Sequence, residues 1–159
     1  MSNNDMINTS YVLMNIENEN LVSTYNNNIY RHNHEQKSGF DLISPYDIQI
    51  SPFGSININF KLKLCVFEHI YDENNNIKKK YISFNLYPYS NIGRTPIRLS
   101  NGISVIESNN RDTISCTFDN ISNKSYTIKK YEPLLTVYCP TLKPLNIKTV
   151  EDISLNVYS

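Results

Sequence analysis

From Ser55 to Val66 the chain alternates without a break: Ile56, Ile58, Phe60, Leu62, Leu64 and Val66 are separated by Asn57, Asn59, Lys61, Lys63 and Cys65. Successive side chains of a strand point to opposite faces, so an extended chain gathers these apolar groups on one face, whereas a helix would scatter them around its circumference. The stretch reads as a long half-buried strand. The cluster Asp72-Glu73-Asn74-Asn75-Asn76 and the lysines 78–80 behind it read as a polar hairpin tip. Ile82, Phe84 and Leu86, alternating with Ser83, Asn85 and Tyr87, read as the returning strand. Shorter alternations follow at Ile114, Cys116 and Phe118, at Tyr126 and Ile128, and at Leu135, Val137 and Cys139, broken by Pro, Gly and Asn clusters. Several short strands at regular spacing predict an all-β sandwich or barrel.

One segment departs from this period. Leu21, Val22, Tyr25 and Ile29 fall along one side of a helix between Glu19 and Glu35, which predicts one short N-terminal helix. A chain of 159 residues is one domain long. We place a loosely ordered terminus at residues 1–9, the domain at 10–152 and a short tail at 153–159.

Lysine plus arginine and aspartate plus glutamate both number 15, so no net field draws the molecule to nucleic acid or to an anionic membrane. No stretch approaches the roughly 20 apolar residues of a membrane span, and the first ten residues hold no apolar signal core. A cytoplasmic protein is the expectation. The odd number of cysteines, Cys65, Cys116 and Cys139, each within an apolar or alternating run, predicts buried free thiols. His32 and His34 have a ligand spacing, but no acidic or thiolate group is arranged around them in sequence, so solvated or partly buried histidines are expected there and at His69.

Three stretches in order resemble the trimeric dUTPase family, in particular the long-loop versions carried by large DNA viruses. Ser38-Gly39-Phe40-Asp41-Leu42 is close to an S/A-G-[FY]-D-L motif. The run from Leu86 to Glu107, containing Tyr87-Pro88-Tyr89-Ser90-Asn91-Ile92 and Thr95-Pro96-Ile97-Arg98-Leu99-Ser100-Asn101, is similar to Y-P-R-S-S-I-x-K-T-P-L-R-L-A-N-S-x-G-x-I-D. Tyr131 to Pro140 is similar to G-x-x-L-x-Q-[IV]-x-x-P. The resemblance covers roughly residues 10–152 and implies a distorted jelly-roll β-barrel that assembles as a homotrimer, with active sites at subunit borders. It also implies conversion of dUTP to dUMP and pyrophosphate with magnesium. A viral origin would place the protein in the infected host cell or in the virion.

Under the same resemblance, Asp41 would hold waters on the magnesium ion, and Glu107 stands where the family has its water-activating aspartate. Ser90, Asn91, Asn101, Asn110 and Arg111 fall at positions of the nucleotide pocket. The pattern is degenerate, however. Tyr89 replaces the phosphate-binding arginine, trading charge-assisted bonds for one neutral hydroxyl. Glu107 is one methylene longer than aspartate, and an error of about 1 Å at a catalytic group can cost about a hundredfold in rate. Asn110 replaces the tyrosine that packs on the sugar, both glycines of that hairpin are gone, and Thr136 replaces a glutamine. No glycine-rich arm like the family's follows Val150. Arg94 stands where relatives have lysine, but an exposed cation on a loop is the favoured reading. The expectation is a weak or inactive enzyme serving as a binding, regulatory or virion structural module through a protein partner. The alternative is a divergent magnesium-dependent dUTP diphosphatase.

Overall fold

The computed structural model describes residues 2–153. Chain order is α1 Asn3–Ile7, β1 Ser10–Ile16, α2 Glu19–Glu35, β2 Gly39–Ile43, β3 Ile48–Ile50, β4 Ser55–Tyr71, β5 Ile77–Ile82 and β6 Phe84–Pro88. A 3₁₀ turn at Ser90–Arg94 leads to β7 Ile97–Leu99, β8 Ser104–Ile106, β9 Thr113–Asn120, β10 Tyr126–Ile128, β11 Pro133–Tyr138 and β12 Leu145–Thr149.

The all-β class is borne out. The strands of the described residues lie in three open sheets rather than a closed barrel: β12-β1-β4-β9-β7 with β5 on the far half of β4, β2-β11-β6-β8, and the pair β10-β3. The alternating stretch forms the axis of the first sheet. β4 pairs with β1 along one edge and, on the other, first with β9 and then with β5. A bulge interrupts the β9 pairing between Asn59 and Lys63, where Lys61 takes φ 57° and its amide donates to Asn59 Oδ1 at 2.8 Å.

The apolar row of β4, including Ile58, Phe60, Leu62 and Leu64, is buried in one core with Phe40, Leu86, Phe118 and Val137. Beyond Leu64 the alternation gives way to burial on both faces. Cys65 and Phe67 join Leu13 and Ile153 in a second, smaller cluster. Ile153 is thus anchored, and the remainder of the expected tail, 154–159, lies outside the described residues. All three cysteines are free and buried.

The helix has the expected bounds but is a 17-residue element, and its buried side chains are Leu21, Tyr25, Ile29 and His32. Val22 is not among them: one residue from Leu21 is a rotation of about 100°, which leaves it 36% exposed. Within the terminus expected to be loose, Asn3–Ile7 forms a helical turn closed by a capping box between Ser2 and Asp5. The lysine run is not at a hairpin tip. Asp72–Asn76 alone makes the tip, and Lys78, Lys79 and Lys80 lie on β5 opposite Ile70, His69 and Glu68. The returning strand is broken at Ser83, so that β5 belongs to the first sheet and β6 to the second.

Candidate functional site

The segment joining β8 to β9 carries three of the expected site residues and is held by its own groups. Ser83 Oγ donates to Glu107 Oε2 at 3.1 Å and accepts from the Ser108 amide at 3.2 Å. The Asn110 amide donates to the Glu107 carbonyl at 3.0 Å, and the Asp112 amide donates to Asn110 Oδ1 at 2.9 Å. Arg111 turns inward: Nη1 donates to the carbonyls of Ser108 and Asn110 at 2.8 and 2.7 Å, and the guanidinium stands 5.1 Å from the Tyr81 ring centroid. Asn110 and Arg111 therefore spend polar groups on the turn. Glu107 remains exposed.

Asp41 sits on the outward face of β2, in register with Thr136 of β11, which in turn opposes Tyr87 of β6. Thr136 Oγ1 donates to Asp41 Oδ1 at 2.8 Å. The residue at the family's glutamine position thus holds the carboxylate beside it. Gly39 is needed here because a β-carbon would stand 2.6 Å from the Tyr138 ring and 2.8 Å from Thr136. Asp41 opens on a cleft of about 370 Å³ between α2 and β2, where Arg31, His32, Glu35 and Lys37 also stand. His32 is 6% exposed, and its Nε2 bonds the Leu145 carbonyl at 3.1 Å. Burial, chiefly, holds its pKa below the usual histidine range. This is the partly buried histidine of the sequence reading. His69 is likewise packed, edge-on to Tyr11 and Phe67.

Ser90 and Asn91 lie exposed on the 3₁₀ turn, and Arg94 is an exposed cation at its end. Asn101 is exposed in the turn between β7 and β8, where Gly102 adopts φ +71° and its amide reaches the Leu99 carbonyl at 2.9 Å. Beneath the 3₁₀ turn lies a pocket of about 190 Å³ whose walls include Tyr89, Asn91, Ile92, Ile128 and Leu134, with Glu132 as its charged residue.

One chain does not bring the expected residues together. Asp41 belongs to one edge of the second sheet and Glu107 follows the strand at the other edge. Three strand spacings and four residues along the strand separate their rows, about 14 Å by about 13 Å. Four of the better-formed clefts of the described residues are lined by none of Ser90, Asn101, Glu107, Asn110 and Arg111. Among the described residues no three His, Cys, Asp or Glu side chains are grouped to hold a metal. Sequence reasoning missed Ser83 and Glu132. Neither carried a signal: Ser83 sits at an ordinary polar position of the alternation Ile82, Phe84, Leu86, and Glu132 lies between two pattern residues.

The sequence matches no family model and no curated protein. Among the solved structures similar to this chain are two dUTPases. The dUTPase from Streptococcus mutans aligns at 17% identity and TM-score 0.49, over 64% of this chain and 75% of that one. The native EIAV dUTPase aligns at 18% identity and TM-score 0.48, over 65% and 75% respectively.

Proposed function

We propose that this chain is a dUTPase-like protein that hydrolyses nucleotide weakly or not at all, and that it acts as a homotrimeric binding, regulatory or virion structural module. The observation that carries this reading is the closed turn after β8. A hairpin that reads a base must present free backbone groups, and here the Asp112 and Asn110 amides are taken up within the turn. The carboxylate at the general-base position is shared with Ser83. A base also works best when held in hydrogen-bond reach of its water, and the cleft beside this turn is lined by Ser83 and Ser108 rather than by Glu107 itself. The homotrimer is supported by the outward face of the second sheet, where Ile103 and Val105 are 48% and 61% exposed beside the paired rings of Tyr87 and Tyr138.

The second reading, a divergent magnesium-dependent dUTP diphosphatase, is favoured by Asp41, whose carboxylate is retained and oriented by Thr136. Asp41, with Glu35 in the same cleft, does not by itself make a magnesium site, which calls for several oxygen ligands, and among the described residues no three such side chains are grouped. Waters, substrate phosphates or a neighbouring chain would have to complete it.

The deciding experiment incubates the protein with magnesium and each deoxynucleoside triphosphate and follows pyrophosphate. We expect turnover below about 1 s⁻¹, the low end of ordinary enzyme rates, and no effect of Glu107→Gln. Turnover at or above that rate, abolished by Glu107→Gln with the assembly intact, establishes the enzyme instead.

A further inference from the structure

The pocket beneath the 3₁₀ turn has the wrong chemistry for a phosphate and the right chemistry for something else. Its walls are apolar: Ile92, Ile128 and Leu134 are 6%, 1% and 3% exposed, with the Tyr89 and Tyr126 rings beside them. The Tyr89 amide donates to the Leu134 carbonyl at 3.0 Å and so ties the turn to β11. Its volume, about 190 Å³, exceeds the roughly 150 Å³ of an apolar cavity that takes up benzene.

One charged residue lines it. Glu132 is half-buried and receives no hydrogen bond or ion pair on its carboxylate from any described residue, although the chain holds 15 lysines and arginines. Its charge is felt at the neighbouring Tyr126. The Tyr126 hydroxyl is pushed to a higher pKa by burial first and by the Glu132 charge second. An apolar cavity with a lone unpaired carboxylate complements a cation joined directly to an apolar body.

We propose that this pocket binds a small protonated amine carrying a six-membered ring or a branched aliphatic group, the apolar body beneath Tyr89 and the ammonium on Glu132. An anionic group is rejected at the same place, because its charge would face Glu132 across a low-dielectric wall. The pocket is separate from the turn that holds Glu107 but shares Tyr89 and Asn91 with the segment at the nucleotide positions, so the test reads amine binding directly rather than hydrolysis.

Benzylamine, benzyl alcohol and benzoate, titrated separately into the full-length protein with isotope-labelled isoleucine and leucine methyls, provide the test. Benzylamine is expected to shift the Ile92, Ile97, Ile128 and Leu134 methyls saturably, with a dissociation constant of about a millimolar, as suits so small a ligand. Benzyl alcohol should bind about fivefold more weakly, the scale of one half-exposed ion pair, and benzoate more weakly still. In Glu132→Gln, a substitution at a half-buried side chain that leaves the walls intact, benzylamine should lose that advantage over the alcohol. No saturable shift up to about 20 mM, shifts confined to other methyls, or equal binding of all three compounds by the wild type would overturn the proposal. So would an amine preference that survives Glu132→Gln.

Discussion

His32 shows how a single side chain can be read correctly for environment and still hide its role. The ring is buried on the inner side of α2, packs edge-on to Phe40 with centroids 5.3 Å apart, and bonds the Leu145 carbonyl of β12. Burial depresses its folded-state pKa. The unfolded chain takes up a proton near pH 6.5, roughly the free histidine value, and the folded ring only at lower pH. This contribution to stability is therefore fully present above about pH 6.5 and is lost as pH falls through the depressed folded value. Denaturant titrations should show unfolding free energy declining as pH falls below about 6.5 in the wild type, and a shallower decline in His32→Gln. Identical slopes would mean that other groups set the acid limb. At Asp41 the motif pointed to the carboxylate, but the partnership with Thr136 depends on β2 and β11 lying side by side, which no local pattern states.

At the scale of elements, α2 is the one α-helix among the described residues with a buried face, and beside the packing of Tyr25 and His32 on Phe40 one hydrogen bond ties it to the second sheet. The Ile43 amide donates to the Tyr25 hydroxyl oxygen at 3.0 Å, with Tyr25 wholly buried. Burial is the leading cause that raises the Tyr25 pKa, so the hydroxyl stays neutral and available as an acceptor. Tyr25→Phe keeps the ring and strands the amide. An unsatisfied buried donor costs about 1–3 kcal/mol, and a chain of this size loses about 2–4 °C in Tm per kcal/mol. A thermal melt should fall by several degrees, and an unchanged Tm would show that water replaces the hydroxyl. The bounds of α2 were legible from the spacing of Leu21, Tyr25 and Ile29, and the structure adds an Asn18 cap at its start. β1 was not legible: Val12, Leu13 and Met14 are consecutive and all buried, since the strand is covered on both faces and shows no alternation.

For the whole molecule, the distance between Asp41 and Glu107 and the apolar outward face of the second sheet bear on the same proposal. If several chains meet on that face, residues dispersed in one protomer can converge at a border, and open sheet edges are covered. The proposed homotrimer predicts a light-scattering mass of about three times the 18.5 kDa chain. Replacing Val105 by aspartate should shift that mass toward the monomer, as a charge placed in an apolar contact is costly. A wild-type monomer at micromolar concentration would sink the assembly and, with it, any shared site.

By itself the sequence determined the all-β class, the long half-buried strand from Ser55, the helix bounds and the burial of the cysteines. Each of these follows from a periodicity or from side-chain chemistry that is local in the chain. Tertiary structure alone decided that the lysine run belongs to a strand, that β5 and β6 part into different sheets, and that the turn after β8 closes through Ser83. It alone set an unpaired Glu132 at the mouth of an apolar pocket. The physical reason is common to all four: each depends on which strands become neighbours, and pairing is decided by burial summed over the whole core, to which no short stretch of sequence holds the key.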